Sequence, residues 1–222
     1  MTTFILIPGA GGTAWYWSHV VPLLQEAGHE AVAVDLPGDD DGAGLPEYTR
    51  LVLDAIGERS DVVLIAQSLG GFTAPLVCAR ASVRELVLVN AMIPAPGETP
   101  GAWWDNTGWD AARLAAAAAN GYSPEFDDGI YFLHDVPPDI AAEGEPYQRP
   151  EAGAVFASVC DFTEWPDIPT LVLAGKADRF FPVDFQQRIA RERLGIDPDV
   201  IAGGHLLALA NPRGVADYLL RG

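Results

Sequence analysis

Short apolar runs recur along the chain, and stretches of helical length separate them. Phe4–Ile7, Ala31–Asp35, Val62–Ala66, Glu85–Asn90, Thr170–Ala174 and Pro198–Ile201 are largely apolar and predict strands. The best of them lack strict alternation of apolar and polar residues, which is the pattern of parallel strands buried on both faces. Ala14–Ala27, Glu47–Glu58, Leu69–Ala79, Val183–Leu194 and Pro212–Leu220 predict helices. Such alternation implies an α/β fold: a mainly parallel sheet of about six strands with helices on both faces. Groups that act on a ligand then belong at the carboxyl ends of the strands.

The rhythm breaks between Ala91 and Trp165, where no clear strand is present. That many residues between two strands are too long for a plain loop. The region holds the tryptophans Trp103, Trp104 and Trp109, His134, and an alanine run, Ala115–Ala119, with strong helix propensity. It predicts a cap of short helices inserted at approximately residues 92–165 of a single domain spanning 1–222. Trp103, Trp104 and His134 are candidates for the wall of a pocket beneath it, because clefts combine aromatic walls with a few polar groups. His134 also has the ordinary reading of a satisfied structural histidine.

Net charge is −18, and Lys176 is the only lysine. That balance opposes nonspecific binding to nucleic acid and adhesion to anionic membranes. The first apolar run is too short for a signal peptide or a membrane span and follows no basic side chain, so a cytoplasmic location is expected. Cys78 and Cys160 make no disulfide framework, and no metal motif or P-loop is present. No cofactor is expected. The oligomeric state is not readable from the pattern.

Three constellations carry candidate chemistry. In Val62–Gly71 a strand turns through small residues around Ser68 into an apolar helix. A serine on such a turn has its Oγ lifted above the sheet end. Ala66 stands where glycine is usual, and a helix N-cap is the alternative reading of the serine. In Pro8–Ala14 a glycine loop follows the first strand. It fits a dinucleotide cradle, with Asp35 as the ribose acid, or an oxyanion loop in which the Ala10 N–H joins that of Leu69. A Tyr-x-x-x-Lys dyad is absent, since Val172 stands four residues before Lys176. Finally, Asp178 follows the strand ending at Ala174, and His205 follows two glycines near the C-terminus. A carboxylate that orients an imidazole, and an imidazole that takes a proton, are the groups a serine nucleophile needs. A turn aspartate is the competing reading at 178.

Together these residues resemble the α/β-hydrolase superfamily, within it the branch of small esterases, plant methyl esterases and hydroxynitrile lyases. The resemblance rests on Ile5–Trp15, Gly28–Glu30, Val34–Gly38, the Ser68 turn and the Asp178 and His205 loops. It implies an α/β-hydrolase fold and the order nucleophile, acid, base that Ser68, Asp178 and His205 follow. It further implies hydrolysis of a small, largely apolar carboxylic ester, lactone or thioester through an acyl-enzyme, with Gly11 and Leu206 beside the substrate. Hydroxynitrile lyases of this branch carry lysine where this chain has Leu206, which favours ester hydrolysis. A non-catalytic small-ligand binder, a lyase and a nucleotide-dependent oxidoreductase remain the alternatives.

Overall fold

The computed structural model describes residues 1–221. The predicted strands form as β1 (Thr3–Ile7), β2 (Glu30–Ala33), β3 (Val62–Gln67), β4 (Glu85–Val89), β5 (Thr170–Gly175) and β6 (Asp199–Ile201). All pair in parallel, in the order β2-β1-β3-β4-β5-β6. β2 stops at Ala33, two residues short of Asp35, which is free of the ladder.

Successive side chains on a strand face opposite ways, and the core divides accordingly. Ile5, Ile7, Leu64, Leu86 and Leu88 face one layer, built from α2 (Leu45–Ile56), α3 (Gly70–Cys78) and later α9 (Val183–Leu194). Phe4, Leu6, Val63, Ile65 and Val87 face the other, which contains α1 (Val21–Glu26), the short α10 (Leu207–Ala210) and α11 (Pro212–Leu219). Each fully buried aliphatic side chain contributes roughly 1.5–3 kcal/mol, so these two layers hold the sheet.

The helix predicted over Ala14–Ala27 is broken. A 3-10 turn, Ala14–Trp17, is capped by the Thr13 side chain, and α1 restarts at Val21 with Pro22 in its first turn. Proline fits a helix start because it lacks the N–H that an interior position would need. Between β4 and β5 no strand forms. Instead the chain makes α4 (Pro100–Thr107), α5 (Trp109–Asn120), α6 (Asp128–Tyr131), α7 (Pro138–Gly144) and α8 (Gly153–Ala157). Thr99 caps α4 by accepting from the Ala102 N–H at 3.1 Å. Gly108 and Gly121, both with positive φ, bound α5.

From β1 the chain moves outward to β2, then returns past β1 to β3. The loops after β1 and β3 therefore leave in opposite directions and open a crevice at their carboxyl ends. The glycine loop and Ser68 stand on either side of that crevice. None of the described helices is long and apolar enough to cross a membrane.

Candidate active site

Ser68 sits between β3 and α3 with φ +48°. A non-glycine residue in that region costs on the order of 1–2 kcal/mol, so its surroundings must hold it there. The Ser68 N–H donates to Val89 O at 3.3 Å, and its carbonyl accepts from Gly71 and Met92 at 3.0 and 2.9 Å. Small neighbours are required: a Cβ at Gly70 would lie 2.7 Å from Pro8 O, and one at Gly71 would overlap Met92 O. Ala66 remains inside β3, fully buried, opposite Ile7 and Leu88.

His205 Nε2 lies 3.1 Å from Ser68 Oγ, and His205 Nδ1 lies 2.9 Å from Asp178 Oδ2. Ser68, Asp178 and His205 are only 8%, 5% and 2% exposed. Asp178 Oδ1 accepts the N–H groups of Phe180 and Phe181 at 2.9 and 2.8 Å, and Oδ2 accepts from Gln186 at 3.2 Å. The carboxylate is thus fixed, and it turns the Nδ1 proton of His205 toward itself. The Nε2 lone pair then faces Ser68. Rings of Phe132, Phe180 and Phe181 stand 5.3, 5.0 and 4.9 Å from the imidazole and shield it from water.

Above Ser68 and His205 opens a mostly apolar cavity of about 400 Å³. Ala10, Gly11, Leu69, Trp104 and Leu206 are among the residues that line it. Neither the Ala10 nor the Leu69 N–H has a hydrogen-bond acceptor among the described residues. Two of the sequence candidates stand elsewhere. Trp103 of α4 is fully buried, its Nε1 donating to Ile93 O at 3.0 Å and its ring packed on Phe181 and Phe185. Its apolar bulk went to the core rather than to the cavity wall. His134 turns its Nε2 to Ala177 O at 3.0 Å and packs against Gly204. It joins the segment between β4 and β5 to the loops that carry Asp178 and His205, outside the cavity.

Several residues at the site were not singled out by the sequence. Gln67 Nε2 lies 3.4 Å from His205 Nε2, a second neighbour for the base. Trp15, Phe132, Tyr147 and Phe180 line the cavity. Glu151 accepts the Gly11 N–H at 2.6 Å, and Arg149 donates to the Gly11 carbonyl at 3.1 Å. Asp35, weighed as a ribose acid, is instead held by Arg149 and accepts the Ala14 N–H at 2.9 Å. Among the described residues no cluster of three or more His, Cys, Asp or Glu is arranged to hold a metal ion.

The family model described as the alpha/beta hydrolase family matches residues 4–218. The chain belongs to the alpha/beta hydrolase family. The chain is similar in sequence to probable esterase PIR7A of Oryza sativa subsp. indica, 38% identical over 112 residues, 44% of this chain and 42% of the rice protein. Methylesterase 7 of Arabidopsis thaliana is 32% identical over 110 residues, 44% of this chain and 42% of the plant protein. The matched part is thus under half the length of these curated relatives. The crystal structure of polyneuridine aldehyde esterase shares the alpha/beta hydrolase fold, with a TM-score of 0.80 and 20% identity, covering 99% of this chain and 98% of that one.

Proposed function

We propose that the protein is a serine hydrolase that cleaves a small, largely apolar carboxylic ester, lactone or thioester through an acyl-enzyme. The observation that carries this reading is the hydrogen-bonded chain Ser68–His205–Asp178, buried at the floor of an apolar cavity. Esterase names among the sequence relatives support it.

In this reading Ser68 Oγ attacks the carbonyl carbon as its proton passes to His205 Nε2. Asp178 stabilises the imidazolium, to which it is already hydrogen-bonded. The free N–H groups of Ala10 and Leu69 bind the tetrahedral oxyanion, and such donors are worth roughly 3 kcal/mol each in the transition state. His205 returns the proton to the leaving alcohol or thiol. It then takes one from water, which attacks the acyl-Ser68 carbonyl and regenerates the serine. The segment at approximately 92–165 acts as a cap whose aromatic side chains dry the cavity and select the acyl and alcohol groups.

A fluorophosphonate probe reports the mechanism directly. Wild type should label with one equivalent, and Ser68→Ala and His205→Ala should not, while p-nitrophenyl esters of graded acyl length, lactones and thioesters rank the substrates. A folded wild type that fails to label, or a Ser68→Ala variant that labels equally, would sink the proposal. Stoichiometric ligand binding without turnover would mark a non-catalytic binder instead.

A further inference from the structure

Outside the Ser68–His205–Asp178 chain, the polar contacts between the inserted segment and the loop after β1 converge on one residue, Gly11. Its N–H donates to Glu151 Oε2 at 2.6 Å, and its carbonyl accepts from Arg149 Nε at 3.1 Å. Gly11 has φ +83°, and a Cβ there would lie 2.6 Å from Arg149 O, so the strap passes directly against the backbone.

The strap itself is anchored on both sides. The second Glu151 oxygen accepts from Tyr48 Oη of α2 at 2.5 Å. Arg149 grips Asp35 with both terminal nitrogens, at 3.1 and 2.8 Å. Ala152 N–H donates to Gly38 O at 2.6 Å.

We propose that Glu151, supported by Arg149, is a positioning residue for the oxyanion hole: it clamps the polar backbone atoms of Gly11 and so holds in one conformation the turn that presents the Ala10 N–H. The inference rests on the acyl-transfer reading given above.

The physical argument concerns peptide rotation. The Ala10–Gly11 peptide rotates about Ala10 ψ and Gly11 φ, and Gly11, with positive φ and no side chain, gives it little intrinsic resistance to flipping. Gly12 N–H closes the turn on Gly9 O at 3.1 Å. Glu151 supplies the missing restraint on the peptide between them. It also commits the Gly11 N–H, leaving the Ala10 N–H as the free donor on that side of the cavity. Burial pushes the Glu151 carboxyl above its ordinary range, against the hydrogen bonds from Tyr48 and Gly11 and the field of Arg149, which together oppose that rise. A half-buried carboxylate is costly to place, and here its two oxygens tie the Gly11 N–H of the turn to Tyr48 Oη of α2.

The test compares Glu151→Ala with Glu151→Gln on a p-nitrophenyl ester that wild type turns over. Affinity for a tetrahedral boronic acid inhibitor and a thermal melt are measured alongside. Glu151→Ala should lower kcat about 10- to 100-fold, the size expected when an oxyanion donor is misplaced rather than deleted. Boronate affinity should fall in parallel, while KM stays within roughly threefold because ground-state binding is untouched. Glu151→Gln still offers an oxygen to the Gly11 N–H and an amide N–H to Tyr48 Oη, and should recover most of kcat.

Unchanged kcat and boronate affinity in folded Glu151→Ala overturn the inference. So does a loss in Glu151→Ala that Glu151→Gln fails to recover while both melt as wild type. Persistent turnover in Ser68→Ala overturns the acyl-transfer reading itself, an outcome distinct from either.

Discussion

The carboxamide of Asn90 makes four hydrogen bonds at the end of β4. Its Oδ1 accepts from the Gly175 N–H at 2.7 Å and from Gln186 Nε2 at 3.3 Å, while its Nδ2 donates to the carbonyls of Gly204 and His205 at 2.9 and 3.0 Å. One fully buried side chain thus ties the loop of Asp178 to the loop of His205. Its φ of +43° suits asparagine better than most residues. Asn90→Ala leaves the buried Gly204 carbonyl and Gly175 N–H unpaired, each costing about 1–3 kcal/mol, and adds the strain of alanine at positive φ. We expect a loss of roughly 3–5 kcal/mol in denaturant unfolding. We also expect a fall in kcat, measured where the variant is folded, because the distance from His205 Nδ1 to Asp178 is no longer fixed. Wild-type stability in Asn90→Ala would refute the hub. In the sequence Asn90 is marked only as the polar end of a predicted strand. Its hydrogen-bond partners lie 85 to 115 positions away, and spacing gives no sign of them.

Elements were legible where burial alone decides them. The runs that became β1, β3, β4 and β5 are apolar enough to be buried on both faces, and α9 formed over the same residues, Val183–Leu194, that the pattern marks. The single helix expected over Ala14–Ala27 does not form, because Pro22 starts a new one. The strand-turn-helix unit around Ser68 was legible for a steric reason, since Gly70 and Gly71 serve close backbone contacts. That reason makes a prediction about the element. Gly71→Ala drives a Cβ into the Met92 carbonyl, a backbone atom with no rotamer to yield. Overpacking of this kind costs typically about 1–3 kcal/mol, and relief would require α3 to move off the turn. We expect lowered thermal stability together with a reduced rate of fluorophosphonate labelling per folded molecule. Normal labelling with a normal melt would show that the turn has slack. Between β4 and β5 the helix α5 covers the alanine run, whose propensity the sequence shows. The fate of the side chains between β4 and β5 was not legible, because Trp103 and Trp104 are adjacent in sequence yet one lies in the core and the other lines the cavity.

At the scale of the whole molecule, the composition announced a strongly acidic protein but not where acid would loosen it. Glu98, between β4 and α4, pairs with Arg193 of α9, and Arg193 also donates to Ile93 O at 2.5 Å. Asn106 and the Ala95 N–H complete the ring around the carboxylate, at 2.8 and 3.0 Å. This strut joins the segment over the cavity to a helix of the sheet layer. Burial by itself would raise the Glu98 carboxyl. Hydrogen bonds from Arg193, Ala95 and Asn106, with the Arg193 charge, outweigh it and hold the group below its usual 4.5. A carboxyl depressed on folding contributes stability that is complete above its unfolded value and vanishes as pH falls through the folded one. Glu98→Gln should therefore melt lower than wild type at neutral pH, by about 2 kcal/mol for a set of charged hydrogen bonds. The gap should stay constant down to the usual carboxylate range and close as pH falls through the lower, folded value, where wild type becomes protonated and resembles the amide. Acid also relieves the self-repulsion of a chain with net charge −18, but wild type and variant differ by one charge, so that larger effect cancels in the comparison. Melting curves of the two proteins across this range decide the matter. A gap that persists unchanged at low pH would mean that the ionised Glu98 carboxylate is not what fastens the segment to α9.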